Sequence, residues 1–217
     1  MIPINSVVDV GCAQGEWLAE FKANGVRTTF GMDGPWVCEN HLLVDRKCFK
    51  SIDLNNIGEP SSRYDLAISL EVAEHLTEES SVSLIKFLTG SARYVLFSAA
   101  IPGQGGTGHL NEQWPSYWVE IFEKFDFKVY DCLRKRIWGN ESVAPAYRQN
   151  LFLFVSSQEA QTFEKMNPDI ETHSMGALNV IHPDIYKHIV NWRMKPENMS
   201  ISTLGKGIFR KALKKIR

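Results

Sequence analysis

Glu71, Glu74 and His75 crowd into one short run, Leu70-Glu71-Val72-Ala73-Glu74-His75-Leu76. The run follows residues 64–70, an apolar stretch that reads as a buried strand. If the chain turns into a helix here, the three groups fall at i, i+3 and i+4 and share one face. Two carboxylates and an imidazole aimed at one point repel, or shift protonation, unless something stabilises them. A hard divalent cation such as Mg²⁺ or Mn²⁺ does so. Without a cation the imidazole offers a general base or a hydrogen bond to substrate. Glu74 alone is also read as a capping or pairing residue.

A ligand turn lies near the start of the chain. Val7-Val8-Asp9-Val10-Gly11-Cys12-Ala13-Gln14-Gly15-Glu16-Trp17 reads as a strand, a tight turn and a helix start. The glycines let backbone approach a ligand where a Cβ would collide. A dinucleotide fingerprint needs a glycine at the middle position to admit pyrophosphate. That position is Ala13, so the turn suits a ligand with no phosphate there. Asp33 closes the next strand-like run, where an acid accepts from ribose hydroxyls in nucleotide folds. Asp53 ends the third strand, placed to accept from an adenine amine.

The elements that would position these groups alternate. Strands are expected near 6–10, 28–33, 48–52, 64–70, 94–100, 127–134 and 150–156. Helices are expected near 15–24, 77–89 and 114–125, the last opened by Trp114-Pro115 with proline at its favoured first position. Residues 34–47, broken by Asp33-Gly34-Pro35, look irregular. Alternation of this kind means an α/β fold with βαβ units and a mostly parallel sheet. Ligands then bind beyond the carboxyl ends of the strands. That rule gathers Gly11, Asp33, Asp53, Leu70, Glu71 and residues 100–109 on one rim. The last two strands read as joined by a loop.

Length and composition allow one domain with a full core: 217 residues, 44% hydrophobic and 23% charged. A net charge of −1 gives no overall drive toward nucleic acid or acidic membranes. Four cysteines without a C-x-x-C pair argue against a zinc site or a disulfide framework, and a cytoplasmic setting fits. No signal peptide or transmembrane run is seen. The division expected is a ligand-binding domain at 1–156 and a helical extension at 157–217, with helices near 158–165 and 184–192. The extension ends in the basic run 207–217, a solvated helix or a weak contact for anionic lipid or nucleic acid. The oligomeric state is not readable.

The glycine turn with Asp33 and Asp53 resembles the class I S-adenosylmethionine-dependent methyltransferases, over roughly residues 6–156. The resemblance implies a doubly wound, Rossmann-like seven-stranded sheet whose last strand is antiparallel. It implies S-adenosylmethionine as cofactor, held by Asp9, Gly11, Cys12, Ala13, Gly15, Trp17, Asp33, Gly34, Asp53, Leu54, Leu70 and Glu71. Relatives usually carry a helix before the first strand. Here about five residues precede it, so the expectation is an open pocket, or one covered by the C-terminal region or another subunit.

Two metal-using branches of that class, small-RNA 3′-terminal 2′-O-methyltransferases and ubiquinone-pathway O-methyltransferases, carry E-x-x-E-H at this place. In the RNA branch a histidine after the fifth strand completes the metal shell. His109, at the end of the glycine-rich run 103–108, resembles it. This implies one metal site from Glu71, Glu74, His75 and His109, with His109, His75 and Glu71 catalytic. The runs 69–76, 97–106, 109–118 and 131–138 also resemble a group of bacterial methyltransferases often associated with glycan assembly.

A base or metal beside the methyl group argues for oxygen as the acceptor atom, because a hydroxyl must lose its proton. Gln104, Asn111, Glu112, Trp114, Arg136 and Arg148 are candidate substrate contacts, with Trp118, Trp138, Tyr147 and Gln149 beside them. Amide and aromatic groups together suit a polyol or sugar. Trp114, Trp118 and Trp138 are also read as packing residues. The leading expectation is an O-methyltransferase acting on a small-molecule or glycan acceptor. The alternatives are an RNA 2′-O-methyltransferase and a non-catalytic partner that binds the cofactor.

Overall fold

The computed structural model describes residues 3–170 and 178–195. Strand β1, Ser6–Val10, is apolar apart from Ser6 and Asp9 and is buried on both sides from Val7 onward. Gly11 and Gly15, both at φ 87°, turn the chain into α1, Glu16–Ala23. Then come β2 (Thr28–Asp33), β3 (Phe49–Ser51) and β4 (Tyr64–Leu70), followed by α2 (Glu78–Ser91) and β5 (Ala92–Ser98). Thr77 caps α2 by accepting from the Ser80 amide. Helix α3, Pro115–Glu123, does start with proline in its first turn. Residues 34–48 hold only two short 3₁₀ turns, Glu39–His41 and Arg46–Cys48.

The seven strands form one sheet in the order β3-β2-β1-β4-β5-β7-β6, with β6 at Phe127–Tyr130 and β7 at Phe152–Ser156. Five strands run parallel, and β7 runs antiparallel to both its neighbours. Successive side chains of a strand face opposite sides. Val8 and Val10 accordingly join the larger core under α2 and α3, built on Phe97, Trp118, Phe122 and Phe154. Val7 joins the second core with Leu18 of α1, Ile68, Tyr130 and Phe163.

The connection from β6 to β7 differs from the expected loop. It holds two short helices, α4 (Arg134–Ile137) and α5 (Pro145–Asn150). Strand β6 ends at Tyr130 rather than near 134, because Asp131 turns inward to pair with Arg134. Helix α6, Ser157–Met166, follows β7 directly and buries Ala160 and Phe163. After residues 171–177, the segment from Leu178 leads into α7, Pro183–Met194. The basic run 207–217 lies outside the described residues. Among the described residues, no helix is long and apolar enough to cross a membrane.

Candidate active site

A cleft of about 700 Å³ opens at the carboxyl ends of β1, β2 and β4. Its floor is the glycine turn. A Cβ on Gly11 would stand 2.2 Å from Val72 Cγ2, so only glycine lets the turn lie against that valine. Ala13 also adopts a left-handed backbone, φ 48°. Its amide donates to Asp33 Oδ2 at 2.6 Å, and the Gly34 amide donates to Oδ1 at 2.6 Å. Asp33 is thereby held rigid at the end of β2, with further lone pairs on both oxygens. Asp9 is 2% exposed, and its Oδ2 has no partner. Burial, then the charges of Asp33 and Glu16, push its carboxyl well above the ordinary range. Cys12, Trp17, Leu54, Leu70 and Glu71 also line the cleft.

Asp53 behaves differently from the sequence expectation. It is exposed, and its carboxylate accepts from the Asn55 amide and from Asn56 Nδ2 within the turn Leu54–Asn56. Those bonds hold its carboxyl below the usual range. Leu54 and Asn55 line the cleft in its place. Trp36, Asn55, Val72 and Leu76 also line it. They belong to irregular segments, and their spacing carries no periodic signal.

Beyond β4 the chain does not continue as a helix. Glu71 takes a left-handed backbone, φ 55°, and Ala73–His75 forms a single 3₁₀ turn. Such a conformation at a non-glycine residue is uncommon and is concentrated at functional sites. The Glu71 carboxylate accepts from Gln104 Nε2 and Asn150 Nδ2, each at 3.1 Å. Glu74 is fully buried, with Oε1 accepting from the Ala100 amide and Oε2 unpartnered. Burial, then the neighbouring Glu71, push its carboxyl up to about 8.

The glycine-rich run carries His109 to this place. Leu110 and Asn111 amides donate to the Glu74 carbonyl, and the His109 ring rests on Gly106, where a Cβ would collide with it. His75 and His109 meet edge to face at 4.8 Å. Ligand atoms of Glu74, His75 and His109 all lie within 4.8 Å of one another. Glu71 stands outside that triplet, held by Gln104 and Asn150, so the four-residue set narrows to three.

Glu112, expected to touch substrate, instead accepts from the Gly103 and Gly105 amides at 2.7 Å and lies 2.8 Å from His109 Nδ1. Burial raises its carboxyl, but the His109 and glycine hydrogen bonds outweigh burial and hold it below the ordinary range. An ionised carboxylate only accepts, so the His109 Nδ1 carries a proton and donates it to Glu112.

The other substrate candidates divide. Gln104 belongs to the site. Asn111 is buried and bonded to Ser81, and Trp114 sits at the N-cap of α3; neither lines the cleft. Trp118 packs on Phe97 in the core. Arg136 is exposed beside Cys132 and Asn167, away from the cleft. Arg148 and Gln149 are buried anchors for residues 180–184, and the Trp138 ring lies 4.5 Å from His182. Tyr147 lines the cleft. Asn150, which ends the polar run Arg148-Gln149-Asn150 before the apolar strand β7, bonds Glu71 and Gln104.

A family model of the methyltransferase domain matches residues 3–127. No curated protein matches the chain. Solved structures share the fold at low identity. A bacterial Hen1 methyltransferase domain (CtHen1-C) superposes with a TM-score of 0.52 at 19% identity, covering 70% of this chain and 90% of that one. The magnesium protoporphyrin IX methyltransferase of Synechocystis PCC 6803, with bound SAH, gives 0.51 at 17%, covering 71% and 75%. A complex between the Haloferax volcanii Trm112 methyltransferase activator and a putative methyltransferase gives 0.52 at 14%, covering 70% and 82%. With more than half of its length matched by the family model, the chain belongs to the methyltransferase-domain family, the class I S-adenosylmethionine-dependent methyltransferases.

Proposed function

We propose that this chain transfers a methyl group from S-adenosylmethionine to a hydroxyl of a small-molecule or glycan acceptor. The observation that carries the reading is the Glu112–His109 pair, whose imidazole meets His75, a residue of the cleft wall, edge to face. The cleft fits the cofactor. The turn at Gly11 has room where a Cβ would clash, Asp33 offers two acceptor oxygens, and the unpartnered Asp9 oxygen suits a cationic group. When bound, S-adenosylmethionine supplies an electrophilic methyl carbon on a sulfonium. A hydroxyl is a poor nucleophile until its proton is taken, and His109 takes it while Glu112 stabilises the imidazolium that forms. Much of the remaining rate comes from alignment of acceptor and donor.

Glu74, His75 and His109 also fit a divalent cation. Their ligand atoms are clustered, and the orphaned Glu74 Oε2 lacks a positive partner. Two imidazoles and one carboxylate favour Mn²⁺ over Mg²⁺. Bound there, the cation would lower the proton affinity of an acceptor hydroxyl. The test is a methyl-transfer screen over neutral sugars, nucleotide sugars and RNA, with and without chelator. Transfer to a sugar hydroxyl is the expected result. Transfer to RNA alone favours the 2′-O reading, and cofactor binding without transfer to any acceptor favours the non-catalytic one. Full activity after chelation, in wild type and in Glu74→Gln, removes the cation from the mechanism.

A further inference from the structure

Two aromatic side chains meet across the cleft from different parts of the chain. Trp17 stands in the first turn of α1, and Tyr147 stands on α5. Their rings meet at 5.6 Å, inclined at 75°, edge to face. Both residues line the cleft. Edge-to-face pairs of this kind add a modest attraction beyond their buried area. The contact therefore joins the glycine-turn side of the cleft to the α5 side with a modest, openable bond.

The position of Tyr147 is set from behind. Helix α5 is a single short turn and has little stability of its own. Its next two residues are gripped by the C-terminal segment. Arg148 pairs with Asp184 at 3.0 Å and approaches His182, and Gln149 bonds the Val180 carbonyl and the His182 amide. Asn150, one residue further, bonds Glu71. The short helix thus presents Tyr147 to the cleft, Asn150 to Glu71, and Arg148 and Gln149 to the C-terminal segment.

We infer that Trp17 and Tyr147 form a clasp over the cofactor cleft, and that the docked segment 178–184 holds this clasp closed through Arg148 and Gln149. The inference rests on the reading of the cleft as the cofactor site. Cofactor enters and leaves when the aromatic contact opens. Loosening the Arg148–Asp184 latch lets α5 move and speeds release without touching any cleft residue.

The test is the release rate of SAH from the full chain, followed by stopped-flow displacement, with affinity from titration calorimetry. Tyr147→Ala is expected to raise the release rate about tenfold or more, with a smaller change in association. Tyr147→Phe keeps the edge-to-face ring contact and is expected to release SAH near the wild-type rate. Asp184→Asn, a half-exposed position, is expected to speed release several-fold. If Tyr147→Ala fails to fold, Trp17→Leu, at a position 40% exposed, gives the same readout. Wild-type protein that binds no SAH overturns the underlying cofactor reading. Wild-type protein that binds SAH, with Tyr147→Ala or Trp17→Leu releasing it at the same rate, overturns the clasp. Faster release in the cleft variants but not in Asp184→Asn overturns the latch.

Discussion

At Asp9 a carboxyl with an unpartnered oxygen is enclosed beneath the cleft, and burial, Asp33 and Glu16 all act against its ionisation. The unfolded chain holds this group near its ordinary value of 3.8. The native state therefore keeps a proton that the unfolded chain has lost. Stability falls as pH rises above that value, and continues to fall until the folded value is passed. Asp9→Asn is expected to remove this slope and to raise the melting temperature of the ligand-free protein at neutral pH. A cationic ligand reverses the preference and favours the ionised form, so binding releases a proton. Calorimetric enthalpies measured in phosphate and in Tris at one pH should differ for wild type and converge for Asp9→Asn. Equal enthalpies in wild type would show that Asp9 does not meet the ligand's charge. Gly11 and Asp33 were legible in the sequence as residues of the cleft, because a glycine turn and an acid at successive strand ends have few bland uses, whereas Glu74 read equally well as a capping or pairing residue. The hydrogen-bond partners of Glu112 and Arg148 were not legible for a physical reason. Their partners, the Gly103 and Gly105 amides and Asp184, are fixed only by loop closure and long-range docking.

Strands β1, β4, β5 and β7 were readable because each is a largely apolar run with a turn at its end, and the helices α1, α2 and α3 because each buries one face. Helices α4 and α5 were not, since four and six residues are too short to establish a 3.6-residue period. The turn after β4 was misread for a related reason. A helix there would keep Glu71, Glu74 and His75 on one face, whereas the left-handed Glu71 turns its carboxylate to Gln104 and Asn150, outside the Glu74–His75–His109 group. That kinked stretch also supports the glycine turn, because Val72 fills the space beside Gly11. Gly11→Ala places a Cβ in that space and forces an alanine to φ 87°. The left-handed backbone costs about 1–2 kcal/mol and the overpacking a further ~1–3 kcal/mol. Urea denaturation should register the sum. Gly11→Ala/Val72→Ala should recover the overpacking part and leave the backbone part. No recovery in the double variant would place the whole cost in the backbone.

Arg134 is the point at which the C-terminal segment joins the sheet domain. It is 2% exposed and forks onto both oxygens of Asp131. It also donates to the carbonyls of Gln149 and Leu178, and its guanidinium lies 4.4 Å from the Phe152 ring centre. One side chain thus binds the end of β6, helix α5 and the returning segment together. The boundary expected near residue 156 has α6 packed on β6 and β7 on one side of it, and the returning segment has these buried polar contacts to the sheet domain. Removing one partner of a buried ion pair costs about 3–5 kcal/mol, because the other charge is left enclosed. Arg134→Ala leaves Asp131, 7% exposed, without its counter-charge. We expect a loss of that order in chemical denaturation, together with faster amide exchange across 182–194 under native conditions. Arg134→Met/Asp131→Leu removes both charges and should recover most of the stability. It restores neither carbonyl's donor, so exchange across 182–194 should remain fast. A variant Arg134→Ala that loses stability while keeping slow exchange there would mean that Gln149 and Arg148 dock the segment by themselves, and that the charge pair serves the sheet alone.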